Sequence, residues 1–309
     1  MTKTLPSAAR GLLGLAAALL ITASLAACGS SDDKASADTK TCPNGGLKFG
    51  VEPFEDPAKL TPAYETVGAA LSKELNCPVK VQIVDDYSAE VLAMENSKLD
   101  IAQFGPLGYV FAHQRAKAEA VASFADASGK LTTYKAGLWV PKNSPIKDVA
   151  GLKGKSLALA DEGSTSGDAL PRKAIRDAGL KDSDVKLDYT GGHAQSMLAL
   201  TKGKIDAAEV NTQQLATAQR EGQWDDSKYR QIWSSAPIPN DPITIRGDLD
   251  PTLKQAITNA LLKLPAADIA KVGSYLGVDP PGPLVRVQQS VYQPLFDLAK
   301  TLGLTEKDA

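Results

Sequence analysis

The stretch "KSLALADEGSTSGDALP" (155–171) runs from an apolar strand pattern into three adjacent hydroxyl side chains, a glycine and the start of a helix. Serine and threonine favour the N-cap of a helix, because the side-chain oxygen accepts a hydrogen bond from a free backbone N–H. One hydroxyl is enough for a cap. Ser164, Thr165 and Ser166 together also suit an anion site, where the free N–H groups and positive dipole end of a helix meet hydroxyl donors. The stretch alone leaves both interpretations open.

Strand and helix patterns alternate on both sides of this stretch. Strands are predicted at 45–53, 78–85, 99–105, 120–125, 134–142, 155–161, 185–191, 205–210 and 229–235. Helices are predicted at 62–76, 88–98, from 106, and at 167–178, 193–203 and 212–222. "PITIRGDL" (242–249) resembles an edge or return strand, and helices follow at 251–264, 266–276 and 283–302. This βαβα order predicts an α/β fold whose mainly parallel sheets carry helices on both faces.

The alternating pattern starts a second time near residue 134, which predicts two similar units. The chain would cross between them near 134 and again near 236. We therefore expect one lobe from 45–134 plus 236–309, a second lobe from 135–235, and a ligand cleft between them at the hinge.

The N-terminus reads as an export signal. Lys3 and Arg10 precede an apolar run from Leu12 to Ile21 that is too short to cross a bilayer. "LAAC" (25–28) resembles a bacterial lipobox, so we expect a signal peptide over 1–27 and a lipid on Cys28. The alternative is an ordinary signal peptide followed by an incidental cysteine. The polar segment 28–44 is predicted to be a flexible tether, which would place the protein at the outer face of the cytoplasmic membrane.

Composition narrows the function classes. The formal charge is −2, and removal of Lys3 and Arg10 with the signal makes the chain more acidic, so no nucleic-acid partner is expected. Cys42 and Cys77 are an even pair in an oxidising location, which favours a disulfide over two buried thiols. With 43% hydrophobic residues, the chain can build two modest domains or one large one.

Candidate site residues follow the predicted strands. In doubly wound sheets, ligands bind beyond the carboxyl ends of the strands. The residues at such positions are Tyr87, Phe104, Ser164, Thr165, Ser166, His193 and Asp241. A lone histidine at a helix start is more often a capping or surface residue, but His193 shares its topological position with the hydroxyl cluster.

An enzyme is the alternative function class. Ser164 or Ser166 with His193 and Asp241 would be a nucleophile, base and orienting acid. The chain has no G-x-S-x-G elbow to expose such a serine, so we expect no catalysis. Two scattered histidines form no recognisable metal site, and no cofactor is implied.

Four motifs carry a family resemblance: "LDIAQFGPLGYVFA", "STSGDALP", "GGHAQSMLALTKGKIDAAEVNT" and "SSAPIPNDPI". In this order they resemble the phosphonate/phosphite-binding proteins of bacterial ABC importers, over about residues 46 to 300. The resemblance implies the type II periplasmic-binding-protein fold. It also implies that the hydroxyls of 164–166, with nearby backbone N–H groups, bind the phosphonate oxygens. His193 would donate to another oxygen, Tyr87 would contribute its phenol from the opposite lobe, and Asp241 would accept a hydrogen bond near the hinge.

Two positions depart from the pattern of relatives that take aminoalkylphosphonates. Gln213 stands where those relatives have an acid that pairs with the ligand ammonium, and Phe104 stands where they have a tyrosine. Both favour a small substituent on phosphorus, such as hydrogen or methyl. Asp168 or Glu209 could compensate for the missing acid.

The sequence thus predicts a monomeric, lipid-anchored binding protein that delivers phosphonate or phosphite to an ABC permease and its ATPase. The alternatives are a binder of another tetrahedral oxyanion, such as phosphate or a sulfonate, and a ligand sensor without a transporter.

Overall fold

The computed structural model describes residues 42–43 and 45–304, so the predicted signal peptide, Cys28 and nearly all of the tether lie outside the described residues. Within the described part, the strands are β1 (Leu47–Val51), β2 (Val79–Ile83), β3 (Ile101–Gln103), β4 (Glu119–Asp126), β5 (Thr133–Tyr134), β6 (Gly137–Pro141), β7 (Ser156–Leu159), β8 (Lys186–Tyr189), β9 (Ala207–Glu209), β10 (Tyr229–Ser234), β11 (Ile238–Pro239), β12 (Pro242–Ile245) and β13 (Pro281–Arg286). The α-helices there are α1 (Pro57–Leu75), α2 (Tyr87–Glu95), α3 (Pro106–Ala116), α4 (Leu170–Asp177), α5 (His193–Thr201), α6 (Thr212–Arg220), α7 (Pro251–Leu261), α8 (Ala266–Gly273) and α9 (Gln293–Leu302).

These strands form two large sheets. The first has the order β13-β4-β12-β3-β1-β2 and the second β10-β6-β9-β7-β8. In each sheet three neighbouring strands pair in parallel, β3-β1-β2 and β9-β7-β8, and every pairing on the other side is antiparallel. The predicted α/β class with parallel sheets is confirmed, with the antiparallel strands as an addition.

Helices cover both faces of the first sheet. One apolar cluster packs α1, α7 and α8 on one face, and another packs α2, α3 and α9 on the other. The second sheet likewise buries separate clusters against α4 and against α5 with α6. A sheet covered on both faces is buried throughout, which is why its central strands read as short continuous apolar runs.

The two chain crossings pair with each other. The chain passes to the second sheet after β5 and returns through β11, and these short strands are antiparallel, with Tyr134 opposite Ile238. The lobe limits at 134/135 and 235/236 stay a prediction, which we carry forward as a proposal.

Two predicted elements differ in the structure. The helix predicted from 283 begins only at Gln293, because Pro281–Arg286 forms β13 beside β4 and buries Leu284 in the core. Of the two alternatives for 242–249, the edge strand is wrong, because β12 lies inside the first sheet between β3 and β4 and is antiparallel to both. Its proline is the first residue of the strand, where a missing N–H is tolerated.

Two further features bear on the predictions. A disulfide joins Cys42 to Cys77 and ties the chain ahead of β1 to the turn between α1 and β2. Among the residues that the structure describes, no helix has the length and apolar character needed to cross a bilayer.

Candidate functional site

Ser164, Thr165 and Ser166 are buried, with 1–2% of each residue exposed. Ser164 caps the π-helical turn Thr165–Ala169 that leads into α4, since its Oγ accepts a hydrogen bond from the N–H of Gly167 at 3.2 Å. A Cβ on Gly167 would lie 2.5 Å from the Cβ of Ala160 and 2.9 Å from Cε1 of His193, so only glycine fits behind the hydroxyls. One hydroxyl of the stretch therefore caps a helical turn, as the first interpretation predicts, and the anion site stays a prediction.

The three hydroxyls line a small cavity of about 10 Å³. Its lining consists of Glu52, Phe54, Tyr87, Gly105, Tyr134, Ser164, Thr165, Ser166, His193, Gln213 and Asp241. These residues follow strands of both sheets, as the rule for doubly wound folds requires. Of the predicted ligand-binding residues, the structure brings together all except Phe104.

Thr165 joins the two halves of the cavity. Its Oγ1 accepts a hydrogen bond from the backbone N–H of Leu107, in the first turn of α3, at 2.8 Å. The first N–H groups of a helix have no partner within that helix, so this contact caps α3 from the opposite sheet. A second contact across the same gap joins the N–H of Tyr87 to Oδ2 of Asp161 at 3.3 Å.

His193 begins α5 and is held by a buried carboxylate. Its Nδ1 lies 2.6 Å from Oε1 of Glu209, and its Nε2 lies 3.4 Å from Oγ of Ser164. Burial alone would lower the pKa of His193, but the charge of Glu209 and this hydrogen bond raise it above its ordinary value. The Nδ1–H therefore donates to Glu209, which favours the charged imidazole, and Nε2 lies towards the hydroxyl cluster.

The partner of His193 also bears on the catalytic alternative. The orienting acid predicted for that alternative was Asp241, but the carboxylate at hydrogen-bond distance from the histidine is that of Glu209. Ser164 Oγ is engaged by the N–H of Gly167.

Two phenols complete the donor set. The hydroxyls of Tyr87 and Tyr134 line the cavity beside those of residues 164–166. Burial raises the pKa of both phenols well above the ordinary value, with Glu52 and Asp241 adding to the effect, so both keep their protons as donors. Sequence reasoning missed Tyr134, whose only signal was its place at the crossing between the two units.

Phe104 requires a correction. It is fully buried in the apolar cluster of α2, α3 and α9 and does not belong to the cavity lining. Side chains alternate between the two faces of a strand, and the side chain of Phe104, which follows β3, lies on the core side. Phe104 has no hydroxyl, but Tyr134 gives the cavity lining a second phenol in addition to that of Tyr87. Phe54 forms the apolar wall of the cavity.

Asp241 is buried, and its carboxyl group accepts a hydrogen bond from a residue of the first sheet. Gln103 Nε2 donates to its Oδ2 at 3.3 Å, and the hydroxyl of Tyr64 in turn donates to Gln103 Oε1. Burial raises the pKa of Asp241 to about 7, against the lowering effects of Gln103 and His193. Its carboxyl therefore titrates near neutral pH.

Gln213 faces the cavity from the start of α6. Its Nε2 donates to Asn240 Oδ1 at 3.1 Å and to the carbonyl of Leu276 at 3.2 Å. The amide nitrogen is thereby committed, and the amide carbonyl is the group left for a ligand.

Neither of the acids expected to compensate for Gln213 lines the cavity. Asp168 accepts from the hydroxyl of Tyr189 at 2.7 Å and pairs with Arg172 at 3.3 Å, while Glu209 holds His193. The acid that sequence reasoning missed is Glu52, which follows β1 directly and lines the cavity. Within the described residues, no group of three metal-ligating side chains comes together.

Comparison with known proteins identifies the family. A family model described as the periplasmic phosphonate substrate-binding protein of ABC transporters matches residues 49–280. This chain belongs to that family. The phosphonate-binding periplasmic protein of Escherichia coli is 30% identical over 216 residues, which are 68% of this chain and 64% of that protein, so the match spans just under two thirds of the relative.

Other members of the phosphonate-binding family carry different ligand names. The phosphate-import protein of Mycolicibacterium smegmatis is 26% identical over 73% of each chain. The structure of a Prochlorococcus marinus family protein in complex with methylphosphonate superimposes with a TM-score of 0.72, at 20% identity, over 85% of this chain and 99% of that one. This likeness confirms the predicted periplasmic-binding-protein fold.

Proposed function

We propose that this protein captures phosphonate or phosphite, with hydrogen or methyl favoured as the substituent, and delivers it to an ABC permease and its ATPase. The ligand-binding residues in this proposal are Tyr87, Tyr134, Ser164, Thr165, Ser166, His193, Gln213 and Asp241. The protein acts as a monomeric carrier and not as an enzyme. Cys28 anchors it by a lipid to the outer face of the cytoplasmic membrane, and the tether over 28–44 gives it reach.

A cavity whose described lining offers hydrogen-bond donors without lysine or arginine is the observation that carries the proposal. Three hydroxyls, two phenols and His193 converge on it, and no lysine or arginine is among its described lining residues. A tetrahedral oxyanion offers several acceptors to such a set. The first turn after Ser164 adds backbone N–H groups and the positive end of the helix dipole.

The cavity also has the limits expected for a small ligand. Its small space is bounded by Phe54, and the amide of Gln213 offers no charge to an ammonium group. Relatives of this chain are named for phosphonate and for phosphate, so the calorimetric series includes both classes of ligand.

Contacts across the gap between the sheets support a closed, ligand-ready arrangement. Lys59 on α1 pairs with Glu221 after α6 at 2.7 Å, and Arg220 Nη2 donates to the carbonyl of Ser274 at 2.9 Å. We propose that the lobes 45–134 plus 236–309 and 135–235 open at the β5–β11 crossing and that ligand shifts the population toward this closed form.

Calorimetry with the mature protein tests the proposal. Phosphite or methylphosphonate should bind with the highest affinity among phosphite, methylphosphonate, aminoethylphosphonate, phosphate and sulfate. Ser166→Ala, which removes one neutral donor, should weaken every tetrahedral anion together, by about 2- to 10-fold. A preference for sulfate, or no binding of any phosphorus oxyanion, would overturn it.

A further inference from the structure

The carboxyl group of Glu52 is an acid in the wall of an anion site. Only 2% of the residue is exposed, and it lies at the start of α3, where a Cβ on Gly105 would come within 2.9 Å of Oε1 and 3.1 Å of Oε2. Glycine at 105 therefore leaves the space that the carboxyl group fills. The Gly105 N–H favours the ionised form of this carboxyl group, but Oε2 has no hydrogen-bond partner among the described residues. A buried polar atom at a cavity wall needs a partner, and a ligand in the cavity can supply one.

The surroundings of Glu52 decide its protonation. The titratable groups that face it belong to α1, α2, β5, the loop after β7 and the segment between β11 and β12: Tyr64, Tyr87, Glu90, Tyr134, Asp161 and Asp241. No cation is among these described groups. Burial raises the pKa of Glu52 well above its ordinary value, Asp241, Glu90 and Asp161 raise it further, and the Gly105 N–H opposes them without prevailing.

Asp241 differs from Glu52 in its partners. Gln103 donates to the Asp241 carboxyl and the charge of His193 favours its ionised form. Of these two neighbouring acids, Glu52 is therefore the one that keeps a proton. Oε2 has no hydrogen-bond partner among the described residues, so the proton belongs on this atom.

We propose that Glu52 is a ligand-binding residue that acts as a carboxylic acid, with its Oε2–H donating a hydrogen bond to an oxygen of the bound phosphorus oxyanion. This inference rests on the proposed function of the cavity. A carboxylate in the same place would repel the anion, so the site must hold this proton for as long as the ligand is bound. Binding affinity therefore depends on a proton that belongs to the protein.

The consequence is a pH dependence that can be separated from that of the ligand. Above the pH at which free Glu52 loses its proton, ligand affinity should fall by about tenfold per pH unit. Methylphosphonate, His193 and Asp241 titrate too, but they contribute to wild type and to a Glu52 variant alike. The ratio of the two affinities isolates the proton on Glu52.

Calorimetry with methylphosphonate from pH 5.5 to 9 tests this, using wild type, Glu52→Gln, Glu52→Ala and Glu90→Gln. The amide of Glu52→Gln still donates, so it should match wild type at pH 5.5 and bind more tightly at high pH, with a ratio approaching tenfold per pH unit. Glu52→Ala should bind about 10- to 100-fold more weakly at pH 5.5, because a donor to a charged group is lost. Glu90 is buried outside the cavity lining and raises the pKa of Glu52, so Glu90→Gln should bind as wild type does at pH 5.5 and lose affinity at a lower pH than wild type.

Three results would overturn the inference while leaving the proposed function intact. They are an identical pH profile in wild type and Glu52→Gln, tighter binding by Glu52→Ala at pH 5.5, and a loss in Glu52→Gln confined to aminomethylphosphonate. The last would make Glu52 an ammonium partner. Failure of wild type to bind any phosphorus oxyanion at every pH would instead refute the proposed function, and this inference with it. Thermal unfolding of each variant identifies any that is misfolded.

Discussion

The pair formed by His193 and Glu209 gives the sharpest mutational test of the anion site. Nδ1 and Oε1 lie 2.6 Å apart, and both side chains are buried. Glu209→Gln keeps a carbonyl oxygen to accept from Nδ1–H but removes the charge that keeps the imidazole protonated. Burial then lowers the pKa of His193 below its ordinary value. A neutral imidazole would present a lone pair on Nε2 to the ligand oxygens.

The magnitude follows from the bond that is lost. A hydrogen bond to a charged group contributes about 1.5–3 kcal/mol, so methylphosphonate should bind about 10- to 100-fold more weakly to Glu209→Gln at pH 7.5. Below pH of about 6.5 the defect should shrink, because the bound anion favours the imidazolium form. A variant that has simply lost structure would not regain affinity for methylphosphonate at low pH.

Calorimetry at several pH values measures this, with Glu65→Gln, an exposed acid on α1, as the matched control. The control should bind as wild type does. Equal affinities of wild type and Glu209→Gln at pH 7.5, or a defect of the same size at every pH, would refute the assignment of a charged His193 to the anion.

Other expectations concern single residues. Tyr134→Phe should weaken methylphosphonate binding by about 2- to 10-fold in calorimetry, because a donor is lost. Phe104→Tyr should leave the affinity unchanged and lower the melting temperature, because a hydroxyl is buried in the core. Weaker binding by Phe104→Tyr with unchanged binding by Tyr134→Phe would contradict the site described. Cys28→Ser should release the protein into the medium on cell fractionation, and retention with an uncut N-terminus would argue against the lipid anchor. The free energy of unfolding of the ligand-free protein in urea should fall as pH rises from about 4 to 7, because the native state holds a proton on Asp241, whose pKa is raised to about 7. The Asp241 proton changes the free energy of unfolding by at most about 1.4 kcal/mol per pH unit. If Asp241→Asn does not flatten the dependence of this free energy on pH, the expectation is wrong.

Residues that follow strands were predictable from the sequence. Ser164 to Ser166, Tyr87 and His193 stand where parallel strands end, and that edge of a doubly wound sheet is where ligands bind. The alternating apolar runs sufficed to predict the α/β class, since a sheet covered on both faces leaves that pattern in its central strands.

What the sequence could not supply depended on side-chain direction and on distant contacts. Phe104 and Gly105 are neighbours, yet one turned into the core and the other into the cavity wall. Glu52 in "GVEP" gives no local sign that its carboxyl group is buried, because the acids and phenols around it come from distant segments. Pro281–Arg286 became a strand and not a helix because β4 offered an open edge, which only the assembled sheet shows.

A crystal structure of the mature protein with methylphosphonate tests the central claim most directly. We expect the phosphorus in the cavity between the two sheets, with its oxygens at hydrogen-bond distance from the hydroxyls of Ser164 and Ser166 and from Nε2 of His193. A methylphosphonate bound elsewhere, or one in the cavity whose oxygens contact none of these three donors, would contradict it.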